Sequence, residues 1–178
     1  MERISEIIAA FSVLALVFAC GTGDDNANSG PSIGNATFSG AATGGLSEVV
    51  IAIESDQGAS AHTELVMQGA SAGLLFSTTI ALTTFDLAAT TYDSSNTAVA
   101  EGSITTTSGS TSTSYGMVGG SSAGTTAVGT FSLKITSIGT THIVSGVTFF
   151  YGVHGTFTGS YDLNSAAGGT AANVNMTF

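Results

Sequence analysis

The chain has 178 residues, of which 43% are apolar and only 8% charged. Its 12 acidic residues meet two basic ones, Arg3 and Lys134, for a net charge of −10. That imbalance excludes a nucleic-acid partner, since phosphate binding runs on clustered Lys and Arg, and it excludes electrostatic attraction to an anionic lipid surface. An ordinary globular domain is about 25% charged, so this surface must be made of Ser, Thr, Asn and Gly. One proline, no tryptophan and 24 glycines fit a secreted, β-rich protein of one domain. The single cysteine cannot close an internal disulfide, so packing alone must hold the fold.

In chain order, the first element is the apolar run Ile7–Ala19, which ends at Cys20. It is too short to span a bilayer and suits the core of a signal peptide. Val17-Phe18-Ala19-Cys20 resembles the lipobox of bacterial lipoproteins, with an apolar residue at −3, a small one at −1 and then Cys. The resemblance implies cleavage before Cys20, a diacylglycerol on its sulfur and an acyl chain on its new amino group. Two or more chains, at about 0.8 kcal/mol per buried methylene, give durable anchorage. By the same resemblance, Gly21 after the cysteine points to the outer membrane. The other reading of this run is an ordinary secretory signal with an incidental cysteine. Cleavage would leave Lys134 as the only basic side chain.

The expected organisation is therefore a signal peptide over 1–19, a lipidated cysteine and flexible tether over 20–34, and a single domain over 35–178. Within the tether, Asp24 and Asp25 read as solvating charges rather than a calcium pair. From Asn35 onward apolar residues recur with period two, the mark of strands with one buried and one wet face. "EVVIAIES" puts Val49, Ile51 and Ile53 inward, and "GTFSLKITS" does the same with Phe131, Leu133 and Ile135. "FYGVHGTFTGSYDL" aligns Phe149, Tyr151, Val153, Phe157, Tyr161 and Leu163 on one parity, against His154, Thr156, Thr158, Ser160 and Asp162. "NVNMTF" closes with Val174, Met176 and Phe178 inward. Candidate strands fall near 35–40, 47–54, 62–68, 73–82, 84–91, 98–106, 112–118, 125–137, 142–151, 153–163 and 170–178. Some of these merge or fail, and the Ser/Thr/Gly-rich stretch over 102–127 reads as a weak hairpin or a loop. About nine or ten short strands in one domain predict an all-β fold, an antiparallel β-sandwich. The whole chain resembles small bacterial outer-membrane lipoproteins with a β-sandwich body.

Three sets of residues invite chemistry. Gly69-Ala70-Ser71-Ala72-Gly73 spells G-x-S-x-G, the nucleophile elbow of serine hydrolases. An elbow needs a helix after the serine, whereas "LLFSTTIALTTF" alternates like a strand, so Ser71 reads as a turn residue. His62, His142 and His154 lie on outward parity, with His142 and His154 possible neighbours across a hairpin, but their spacing matches no zinc pattern. Asp93–Glu101 does not fit a calcium loop, and Glu54 with Asp56 is a weaker candidate. The sequence thus predicts no catalytic residue, no metal and no cofactor. It predicts a monomeric, lipid-anchored, non-enzymatic module of the outer membrane that binds a polysaccharide or a protein through a Thr, Ser and Tyr face. The alternative is a small outer-membrane β-barrel, suggested by the alternating last strand and Phe178. A serine hydrolase acting through Ser71 comes third.

Overall fold

The computed structural model describes residues 30–56, 62–82, 86–93, 98–119, 128–163 and 170–178. These residues form twelve strands. They are β1 (Ser32–Gly40), β2 (Gly44–Asp56), β3 (His62–Ser71), β4 (Leu74–Leu82), β5 (Thr91–Asp93) and β6 (Ala98–Ser108). β7 (Thr111–Gly119), β8 (Thr130–Ser137), β9 (Thr140–Val144), β10 (Val147–Tyr151), β11 (His154–Leu163) and β12 (Ala171–Thr177) follow.

The all-β expectation holds, but the sandwich does not: the body is an eight-stranded closed antiparallel barrel. The wall runs β1-β12-β11-β7-β6-β4-β3-β2, and β2 pairs with β1 to shut it. Closure rests on β1, which lies between β12 (Phe38 opposite Val174) and β2 (Ile33 opposite Val50). A sandwich would leave four sheet edges there, and closing the sheet removes them. The period-two pattern is the same in both architectures, because each buries one face of every strand. Only the register between strands separates them.

Between β7 and β11 the wall forks. The end of β11 touches β7 at Asp162–Gly116 and Leu163–Tyr115, whereas its first part pairs with β8. β8 fills the wedge and carries the short β5 on its far edge. Its inward residues Phe131, Leu133 and Ile135 are buried as the alternation requires.

The barrel interior is solidly packed. Phe76 on β4 reaches across the axis to Phe38, Tyr161 and Phe157, with ring centroids 5.7, 6.2 and 6.4 Å away. Val49, Ile51, Ile53, Leu65, Met67, Ile80, Ile104, Met117, Val174 and Met176 complete the core. The Tyr161 hydroxyl shares a 2.6 Å hydrogen bond with Thr78 Oγ1 inside the barrel, and burial pushes the phenol pKa up. Gly102 makes this possible, since a Cβ there would stand 2.4 Å from Thr78 Oγ1 and 2.7 Å from the Ser77 carbonyl. Among the described residues every buried side-chain polar atom has a partner, as a folded interior demands.

Several element boundaries differ from those read in the sequence. The strand expected over 142–151 is a hairpin: Ser145 (φ 52°) and Gly146 (φ 88°) turn the chain between β9 and β10. Two successive positive φ angles give the two-residue turn whose twist suits a hairpin. β10 then sits beside β2 outside the barrel ring, so Phe149 and Tyr151, expected in the core, are half-exposed. Of the expected strand 84–91, residues 84–85 lie outside the described residues and 86–90 are irregular. The ladder with β8 runs over Thr91–Asp93, with Ile135 N–H also donating to the Thr90 carbonyl. The low-complexity stretch contains the long β6–β7 hairpin, turning at Gly109. Phe178 is an interior residue: it is buried, exchanges two backbone hydrogen bonds with Gly155, and packs its ring against the Gly155 backbone.

Candidate functional site

The outward parity of β8, β11, β12 and β1 builds one face. Reading across the strands, Thr130, Ser160, Asn173 and Ser39 form a row. Ser132, Thr158, Asn175 and Thr37 form the next, and Lys134, Thr156, Thr177 and Asn35 the third. Rows of this kind step about 4.8 Å between strands and roughly 6.7 Å along them. Most of these side chains are exposed, with Ser132 and Ser160 half-buried. Thr37 Oγ1 donates a 3.3 Å bond to the Asn175 carbonyl, so the hydroxyls also tie the strands together.

At the centre of the face lies an open depression of about 420 Å³, lined by the first row and by Ser132, Thr158 and Asn175 of the second. Gly159 sits in its middle, flanked by Val174 and Phe131, whose side chains turn into the core. The lining side chains that meet solvent are therefore hydroxyls and amides. Each can both donate and accept, and none carries a charge. Lys134 and Asp93 stand at the margin, on β8 and β5. Such a surface suits an uncharged ligand rich in hydroxyl groups. Neutral hydrogen bonds contribute about 0.5–1.5 kcal/mol each, so several must act together along an extended ligand.

A second cluster lies further round the wall, on β2 and β3 beyond β1. Glu54 on β2 faces Glu64 on β3 directly across the ladder, and Phe149 on β10 flanks Glu54 on its other side. Burial, and then the like charges of Glu64 and Asp56, push the Glu54 pKa up to about 7, with His62 opposing. Burial also raises Glu64, again against His62, whose Nε2 is 3.9 Å from Glu64 Oε2. Like charges directly opposite on a sheet repel, and protonation relieves this. The pair stands on a strand wall, not in a cleft, and reads as a pH-sensitive element of stability. Sequence reasoning singled out Glu54 with Asp56 but missed Glu64. Alternation along "EVVIAIES" put Glu54 opposite in parity to Val49, Ile51 and Ile53, and only the strand register brings Glu64 across from it.

The other residues singled out in the sequence do not converge. Cys20, Asp24 and Asp25 lie outside the described residues. Ser71 ends β3, is exposed and pairs with Leu74, and the chain beyond it is β4, with no helix to support an oxyanion. His142 lies opposite Phe149 and edge-stacks on Tyr151 at 5.2 Å, whereas His154 lies opposite Ser137, so the two are not hairpin neighbours. Among the described residues no three His, Cys, Asp or Glu are grouped to hold a metal ion. Asp93 pairs with Ser132 and Glu101 with Thr79, which sets them on different strand pairs.

The fold and the face define a closed antiparallel barrel with a packed interior and a hydroxyl-rich outer wall. No family model, curated protein or solved structure matches the chain.

Proposed function

We propose that the protein is a lipid-anchored, non-enzymatic barrel of the outer membrane, held by Cys20, that presents its Ser, Thr and Asn rows to a neutral polysaccharide. The observation that carries this reading is the uncharged depression across β8, β11, β12 and β1. An acidic body with a neutral, hydroxyl-lined hollow repels anionic polymers and suits sugar hydroxyls. The Cys20 anchor rests on the lipobox resemblance. A glycan array probed with the full-length protein tests the ligand class. Binding to neutral glycans should disappear in Thr158→Glu and in Ser160→Glu, with unfolding temperature unchanged. Binding that survives both substitutions, or no binding to any neutral glycan, overturns the assignment. The anchor has its own test: Cys20→Ser should abolish palmitate labelling, and unchanged detergent-phase partitioning in that variant would sink it.

Closure of the barrel favours a second reading, a small outer-membrane barrel that crosses the bilayer with its strands. Its outward band would have to be apolar. Here the outward positions are Thr156, Thr158, Asn173, Asn175 and Thr177 on two strands, and Glu101, Ser103 and Thr105 on β6. The first reading accommodates these residues in water.

A further inference from the structure

We propose that the β9–β10 hairpin is a membrane-contacting finger whose tip, Ile143, Val144 and Val147, enters the interfacial region of the bilayer that holds the protein. This rests on the reading of Cys20 as a lipid anchor.

Of the exposed large apolar side chains among the described residues, the two most exposed, Ile143 and Val144, are neighbours in this hairpin. β10 is bonded to β2 only from Val147 to Phe150, and β9 lies beyond it as the free edge of the sheet. Ile143 is 70% exposed and Val144 58%, while the β10 residues are half-exposed. An edge strand in water is ordinarily guarded by a charge, a proline or a bulge. Here the sequence between Lys134 and Asp162 contains no Asp, Glu, Lys, Arg or Pro, in a chain with 12 acidic residues. The tight turn at Ser145 and Gly146 puts Ile143 with Thr148 on one face of the ribbon and Val144 with Val147 on the other, so each face of the tip carries an exposed apolar side chain. Phe149, Phe150 and Tyr151 follow behind it. An apolar tip, half-exposed Phe149 and Tyr151 behind it and no charge on either strand of the hairpin are the composition of a segment that lies in a membrane interface. The acids beside it are Asp56 and Glu54 on β2, opposite Val147 and Phe149.

The occupant is fixed by where the chain enters. Ser32, opposite Ile51, begins β1 at the same rim from which the hairpin projects, and its Oγ is bonded to Val153 N and O at 3.0 and 2.7 Å. β10 pairs with β2 beyond the end of the β1 ladder, over Ile53–Asp56. Val147 lies opposite Asp56, five positions further along β2 than Ser32's partner, so the tip stands roughly 17 Å beyond the entry point. Ten residue steps separate Cys20 from Gly30, a length of chain that spans at most about 33–36 Å. An anchor at Cys20 therefore holds the rim bearing the hairpin within reach of the bilayer surface. Pairing of β9 with a second copy is less well supported, because a five-residue edge buries far less than the 1,200–2,000 Å² typical of stable interfaces.

The chain contains no tryptophan, so one introduced indole reports its own depth. Full-length, membrane-extracted protein carrying Ile143→Trp is reconstituted on vesicles of phosphatidylethanolamine and phosphatidylglycerol, with and without brominated acyl chains. Ser110→Trp, in the β6–β7 turn at the opposite rim, is the control. Ile143→Trp should show blue-shifted emission that the brominated lipid quenches, and Ser110→Trp should show neither. Protein that floats with the vesicles but leaves the Ile143→Trp emission red and unquenched overturns the finger while leaving the anchor intact. Protein that does not float overturns both. A blue shift that appears without lipid and grows with protein concentration overturns the finger in favour of edge pairing between copies.

Discussion

Phe76→Ala is the sharpest probe of the barrel interior. Phe76 is fully buried and touches the rings of Phe38 on β1 and of Phe157 and Tyr161 on β11, so its removal opens a hole on the axis. Phe→Ala in a core costs about 3–5 kcal/mol, depending on how far the walls collapse. A closed ring of hydrogen-bonded strands collapses little, and three aromatic neighbours are lost together, which places this site at about 4–5 kcal/mol. The adjacent Leu75 points outward and is 52% exposed, so Leu75→Ala should cost less than about 1 kcal/mol. Urea unfolding of a chain beginning at Ser32, followed by far-ultraviolet circular dichroism, gives both values as midpoint shifts at unchanged slope. A loss below about 2 kcal/mol for Phe76→Ala, or equal losses at both positions, would refute the packed axis.

The remaining expectations are briefer. Because the folded-state pKa of Glu54 is raised from its ordinary 4.5 to about 7, stability should be greatest below pH 4.5, fall as pH rises toward 7 and level off above it. At full strength that shift is worth roughly 3 kcal/mol. Partial exposure cuts it to about 1–2 kcal/mol, which Glu54→Gln should restore at pH 8; a flat pH profile in the wild type would contradict this. Gly102→Ala should destabilise strongly, because the added Cβ meets Thr78 Oγ1 and the Ser77 carbonyl; an unfolding temperature equal to wild type would show that the Thr78–Tyr161 bond needs no such space. Ser71→Ala should change neither fold nor any activity, and the wild type should not react with a fluorophosphonate probe. Labelling that vanishes in the variant would restore Ser71 as a nucleophile.

Much of the wall was legible in the sequence because burial has period two on every strand. Val49, Ile51 and Ile53, Phe131, Leu133 and Ile135, and Val174, Met176 and Phe178 are all buried as their alternation required. What alternation cannot report is what covers the buried face, so one closed sheet and two stacked sheets look alike. The β9–β10 hairpin did carry a local signal, Ser145-Gly146 between two β-branched and aromatic runs. The matching parity of Phe149, Tyr151 and Val153 hid it. The polar depression was out of reach for another reason. Its rows join Ser39, Asn173, Ser160 and Thr130, residues far apart in the chain that only strand register makes neighbours.

The central claim is that the barrel turns its hydroxyl rows to water and relies on Cys20, not on its strands, to stay at a membrane. Gel filtration of the chain beginning at Ser32, with neither lipid nor detergent, tests this most directly. The account predicts a soluble, monomeric, cooperatively folded species whose position on a denaturing gel does not depend on heating. A chain that is insoluble without detergent, and heat-modifiable once detergent is added, would mean that the strands cross the bilayer and would contradict the account.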